Sequence, residues 1–149
     1  MKLTSIFSLL PENTAFAHCD IPCGIYDPHQ AQVAAHTIVR MTQMLGEIKR
    51  DDETRAEHDI ARITHVKEEH GHMVEEELGT LWNDYFKEEH FVKFQNLKEL
   101  LNKGTKLSVK TRQEIDMESA KELLETVMQI AEIFYKSKGA VPKRVKSLY

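Results

Sequence analysis

The feature that most constrains the fold is an apolar rhythm of three- to five-residue steps that returns four times along the 149-residue chain. An α-helix turns once in about 3.6 residues, so this rhythm lays apolar side chains along one face of each segment and demands partner helices to cover it. The first helix is predicted to start at Asp27-Pro28 and to run to about residue 49. Asp accepts hydrogen bonds from exposed amides there, and Pro fits the first helical position. Its stripe is Val33, Ile38, Met41, Leu45 and Ile48. After the charged run Arg50-Asp51-Asp52-Glu53, a second stretch carries Ile60, Ile63, Val66, Met73 or Val74, Leu78, Leu81 and Trp82 to about residue 86, with Gly71 and Gly79 as points of bending. A third, from about 92 to 106, spaces Phe94, Leu97, Leu100 and Leu101. A fourth, from about 117 to 137, spaces Ala120, Leu123, Leu124, Val127, Ile130 and Phe134. Four such helices on short connections predict an all-α fold, an antiparallel up-down four-helix bundle over residues 27–138. Gly139 and Pro142 break the pattern, and the basic residues 139–149 read as a flexible tail.

Charge and hydropathy exclude whole classes of partner. A net charge of -4 lacks the cationic face that phosphates require, so no nucleic acid is expected. No apolar run approaches the roughly 20 residues that span a bilayer, so no membrane is expected either. Residues 1–17, MKLTSIFSLLPENTAFA, imitate a secretory signal through Lys2, the apolar stretch from Leu3 to Leu10 and the ending Ala15-Phe16-Ala17. Thr4, Ser5 and Ser8 dilute that stretch, and Pro11 and Glu12 follow it. A removable leader or propeptide is the preferred reading, with the protein cytoplasmic; it is periplasmic or exported if residues 1–17 act as a signal.

The bundle leaves residues 18–26 unexplained, a segment with both cysteines of the chain, a His and a Tyr ahead of the first helix. A C-x3-C pair alone is compatible with a local disulfide or with zinc, although a closed zinc site wants about four side-chain ligands and this segment supplies fewer. Cleavage before His18 changes the inventory, because the new α-amine joins the imidazole as a second nitrogen donor. The amine, the Cys19 backbone nitrogen and the thiolates of Cys19 and Cys23 would then form a square plane with the imidazole on its axis. Such a nitrogen and sulfur set suits nickel(II) or copper(II) better than zinc.

The run HCDIPCGIYDP resembles the hook of the nickel superoxide dismutase family, His-Cys-x-x-Pro-Cys-Gly-x-Tyr directly after a removable leader. Leu81-Trp82-Asn83-Asp84-Tyr85-Phe86-Lys87 followed by His90-Phe91 resembles the family's second landmark, and the helix order agrees over residues 18–139. The resemblance implies that His18 supplies amine and axial imidazole, Cys19 amide nitrogen and thiolate, and Cys23 the second thiolate. They would hold one nickel per subunit that cycles between Ni(II) and Ni(III) and converts superoxide to oxygen and hydrogen peroxide. Pro22, after a cis bond, would turn the hook; Asp20 would hold it by hydrogen bonds; Tyr26 and Tyr85 would stand over the open face of the metal. Lys87 is the candidate cation for drawing in the anionic substrate. The family also implies a homo-oligomer, a hexamer with hooks between subunits, a maturation protease and a nickel-delivery factor.

The sequence departs from the family pattern in one place. A Glu early in the first helix and an Arg twelve residues before the Trp hold the axial imidazole in better-known members, and Ala34 and His70 stand at those positions here. Rival functions are a nickel-handling protein without turnover and a helical interaction module with disulfide-bonded cysteines. Glu69-His70-Gly71-His72 supplies one Glu-x-x-His spacing, where a di-metal bundle core needs a second and two more inward carboxylates. Without the hook, Trp82, Tyr85 and Phe86 would read as core aromatics.

Overall fold

A computed structural model describes residues 25–146. Among these residues the elements are all helical: α1 (His29–Gly46), α2 (Glu53–Thr80), α3 (Glu88–Lys93), α4 (Leu97–Gln113) and α5 (Met117–Ser137). The four long helices close a ring in which α1 touches α2 and α5, and α4 touches the same two. Each pairing is antiparallel. Lys67, Gly71 and Leu78 of α2 meet Thr111, Ser108 and Gly104 of α4 in reversed order, and Asp27 just before α1 meets Tyr135 near the end of α5. The all-α bundle read from the periodicity is the fold. No helix among the described residues is long and apolar enough to cross a membrane.

The predicted stripes hold best where they are strongest. In α5, Ala120, Leu123, Val127, Ile130 and Phe134 are all buried. In α1 the expectation needs correction: Val33 is 39% exposed, and the buried face is Ala31, Gln32, Ala34, Ala35, Ile38 and Thr42. Small side chains let one helix approach two neighbours at once, and Thr42 satisfies its hydroxyl on the Ile38 carbonyl of its own helix at 2.8 Å. The α2–α4 contact is close for a related reason, since a Cβ on Gly104 would come within 2.7 Å of Leu78 Cδ1.

The boundaries shift as well. α1 ends at Gly46 instead of about 49, with the Glu47 amide donating back to the Gln43 and Met44 carbonyls. The third predicted segment is two helices. Phe94 leaves helical geometry at φ -118, ψ 81 and packs against the core, which separates the short α3 from α4. α4 then continues past 106 because Leu107, Ser108 and Thr111 are buried. The second segment is an α-helix only to Thr80, and residues 81–85 form a π-helical turn in which the Phe86 amide reaches the Leu81 carbonyl at 2.8 Å.

At the α4–α5 turn, carbonyls that helix geometry leaves without partners are met by a buried ammonium. Lys67, 2% exposed, donates to the carbonyls of Thr111, Arg112 and Glu114. Burial lowers its pKa from the ordinary lysine value. Asp116 then caps α5, accepting from the Glu118 amide at 3.0 Å and from the Ser119 hydroxyl.

The segment after α5, read as a flexible tail, lies against α1. The fully buried Gln32 amide grips it at two points, its Nε2 donating to the Lys143 carbonyl at 3.2 Å and its Oε1 accepting from the Val145 amide at 2.9 Å. His36 Nε2 adds a contact of 3.0 Å to the Val145 carbonyl, and Arg144 pairs with Glu132 at 3.2 Å. A carboxamide supplies a donor and an acceptor side by side and so pairs with extended backbone as a neighbouring strand would.

Candidate metal centre

The chain enters the bundle through three tethers. Asp27 accepts the His29 amide at 2.9 Å, which caps α1, and also the Tyr135 hydroxyl at 2.9 Å. Burial, and then the bond to Asp27, push the Tyr135 phenol up to about 12. One residue earlier, the Tyr26 carbonyl receives Lys138 Nζ at 3.4 Å. The last turn of α5 and the start of α1 are thereby joined by ties spanning more than a hundred residues of sequence.

The π-helical turn presents Tyr85 to the same place. The Tyr26 and Tyr85 ring centroids are 5.6 Å apart at 51°. Tyr85 is wedged among Phe86 at 5.1 Å, Phe134 at 4.6 Å and a nearly parallel His90 at 5.5 Å. Its hydroxyl lies 2.7 Å from Ser137 Oγ. His90 is oriented by the Lys87 amide, which donates to its Nδ1 at 2.9 Å, so the neutral ring carries its proton on Nε2. The Lys138 ammonium stands 5.3 Å from the Tyr85 ring centre and 4.7 Å from that of Phe134, a cation held over aromatic faces. Beside Tyr26 a cleft of about 230 Å³ is lined by Ile25, Asp27, Gln30, Glu77, Thr80 and Leu81.

Of the residues singled out in the sequence, Tyr26 and Tyr85 are brought together. His18, Cys19, Asp20, Pro22 and Cys23 lie outside the described residues. Lys87 precedes α3 and contributes its amide to His90. Ala34 is fully buried in α1, and half-buried His70 donates from Nδ1 to the Val66 carbonyl at 2.8 Å, which leaves Nε2 as an acceptor. These two positions therefore offer one ring nitrogen where the family pattern has a carboxylate and a guanidinium. His65 and His72 lie on the exposed side of α2, each 3.4 Å from a glutamate one turn away. Among the described residues no three His, Cys, Asp or Glu side chains are placed to hold a metal ion. Ser137, Lys138 and the Asp27–Tyr135 bond escaped the sequence reading. Polar residues at the end of a helix give no sign of whether they meet water or a neighbour 50 to 110 positions away.

The chain's likenesses agree with this geometry. The family profile of nickel-containing superoxide dismutase matches residues 13–138. The nickel superoxide dismutase of Streptomyces coelicolor is 33% identical over 130 residues, covering 87% of this chain and 95% of that protein. The enzyme of Streptomyces seoulensis is 32% identical with the same coverage. A crystal structure of nickel-containing superoxide dismutase with its nickel ligation in the oxidized state superposes with a TM-score of 0.73 at 32% identity, over 83% of this chain and 100% of that one. A native nickel superoxide dismutase structure gives a TM-score of 0.71 at 31% identity, over 81% and 99%. With a profile that spans most of its length, two relatives above 30% identity and the same bundle in solved structures, this chain belongs to the nickel-containing superoxide dismutase family.

Proposed function

We propose that the chain, processed to begin at His18, is a superoxide dismutase that works where the hook meets the Tyr26–Tyr85 pair. The observation that carries this reading is the anchoring of Tyr26: its ring stands 5.6 Å from Tyr85 and its carbonyl is tied to Lys138. Cys23 is only three residues earlier, and three residues of chain reach at most about 11 Å. A thiolate at Cys23 would then work within that reach of the Tyr26 backbone. The donor set also fits the metal, since an amine, an ionised amide nitrogen, an imidazole and two thiolates would suit nickel.

His18, Cys19 and Cys23 would hold that ion, one per subunit, and Asp20 would steady the hook by hydrogen bonds. When bound, nickel supplies the Ni(II)/Ni(III) couple through which one superoxide is oxidised to oxygen and a second, with two protons, is reduced to hydrogen peroxide. Tyr26 and Tyr85 narrow the approach so that a diatomic anion passes and larger ligands do not. The ammonium of Lys138 lies over Tyr85, and Lys87 follows closely in sequence; both raise the encounter rate of an anion in a salt-dependent way. Assembly as a hexamer, removal of residues 1–17 by a protease, nickel delivery by a second protein and a cytoplasmic location complete the proposal.

Intact mass, metal analysis and superoxide consumption on one native preparation test it. The expected result is a chain starting at His18 with about one nickel and rapid turnover, and a precursor starting at Met1 that is inert because His18 then has no free amine. A native chain that begins at Met1 and is fully active would overturn the ligand set.

A further inference from the structure

The hydrogen bonds behind Tyr85 assign the direction of its proton. Ser137 Oγ is 2.7 Å from the Phe134 carbonyl oxygen and 2.7 Å from the Tyr85 hydroxyl. A carbonyl can only accept, so the single Ser137 proton goes to Phe134. The Ser137 oxygen then has lone pairs alone to offer Tyr85, and Tyr85 must donate. The reverse assignment would leave two oxygens facing each other lone pair to lone pair at hydrogen-bonding distance. The ring cannot swing away from this partner, since Phe134, Phe86 and His90 pack around it at 4.6, 5.1 and 5.5 Å.

We propose that Ser137 is a positioning residue that keeps the Tyr85 hydroxyl proton turned into the protein, so that this phenol presents acceptor lone pairs, and no proton, to whatever lies between the two tyrosines. The proposal rests on the dismutase reading for its consequence and on hydrogen bonding alone for its substance. Superoxide is itself an acceptor, so Tyr85 does not bind the substrate anion through its hydroxyl. It holds proton-bearing molecules, water or the hydrogen peroxide product. The protons consumed in the reduction half-reaction come from another group, because donation by Tyr85 would break its bond to Ser137.

The test uses the processed, nickel-loaded protein. The Raman ring-mode doublet of tyrosine distinguishes a donating from an accepting phenol, and subtraction of the Tyr85→Phe spectrum isolates Tyr85 from the chain's other three tyrosines. The wild type is expected to show the donor pattern, Ser137→Ala the pattern of a phenol in water, and Ser137→Thr, which keeps the hydroxyl, the donor pattern again. Superoxide consumption should fall about fivefold in Ser137→Ala, the scale of one positioning hydrogen bond, and return to within about twofold in Ser137→Thr. An accepting Tyr85 in the wild type overturns the proposal, as does a Ser137→Ala doublet identical to wild type. Should the nickel-loaded wild type consume no superoxide, the dismutase reading fails, while the wild-type doublet still decides the direction of the Tyr85 proton.

Discussion

At the α4–α5 turn, Asp116 caps α5 through residues two and three positions on, and Lys67 reaches across from α2 to backbone carbonyls 44 to 47 positions away. At the hook end the ties join Tyr26 to Lys138, Asp27 to Tyr135 and Tyr85 to Ser137, pairs 112, 108 and 52 residues apart. The cap of α5 forms with its own helix, and the Lys67 bonds need only one pairing of neighbours, α2 against α4. The hook end exists only once α1, the π-helical turn and the end of α5 have all arrived. The placement of the two tyrosines is thus a property of the whole bundle, which suits a site whose proposed metal ligands precede α1 in the sequence.

Substitutions at each end separate these two kinds of closure. The largest effect is expected from Lys67→Met, which leaves buried carbonyls at the end of α4 without a donor and should cost about 2–3 kcal/mol in denaturant unfolding at unchanged slope. A change below about 0.5 kcal/mol would mean that water already serves those carbonyls. Gln32→Leu removes both bonds to the segment after α5 and should cost about 1 kcal/mol, with faster hydrogen exchange at the Val145 amide and an unchanged amide at Glu118. Equal exchange at Val145 in the two proteins would show that the segment is held by other contacts. A third effect is confined to alkaline pH. The Tyr135 phenol is raised to about 12 in the folded chain against about 10 when unfolded. Folding therefore favours the protonated form, and this contribution is intact below about pH 10 and lost between about 10 and 12. Tyr135→Phe should lack that loss, so the stability difference between the two proteins should narrow as the pH rises through this window; a constant difference would exclude the linkage.

The same contrast explains what the amino-acid sequence made legible. α5 is readable because Leu123, Val127, Ile130 and Phe134 are large, apolar and evenly spaced. The inner face of α1 is not, because alanines, Gln32 and Thr42 carry no hydrophobic signal, and Val33, which carries one, is exposed. Lys67 reads as a solvated charge until three carbonyls are seen around it. The docked segment at 143–145 depends on one glutamine that nothing local distinguishes from a surface residue. In the candidate site, Tyr26 and Tyr85 were found through motifs that name them. Ser137 and Lys138 belong to no motif and act only across the bundle.

The π-helical turn at residues 81–85 has a further consequence. A turn of this kind holds one residue more than an α-helical turn, so the heading of Tyr85 depends on how many residues the turn contains more than on which they are. Asn83 is exposed, and the wide turn takes up one residue that an ordinary helical turn, at about 100° per residue, would pass on as a rotation of everything beyond it. Tyr85 thus serves as the hand of a dial: it faces Tyr26 because the turn absorbs its extra residue locally, and winding the same five residues as an ordinary α-helix would swing the phenol away.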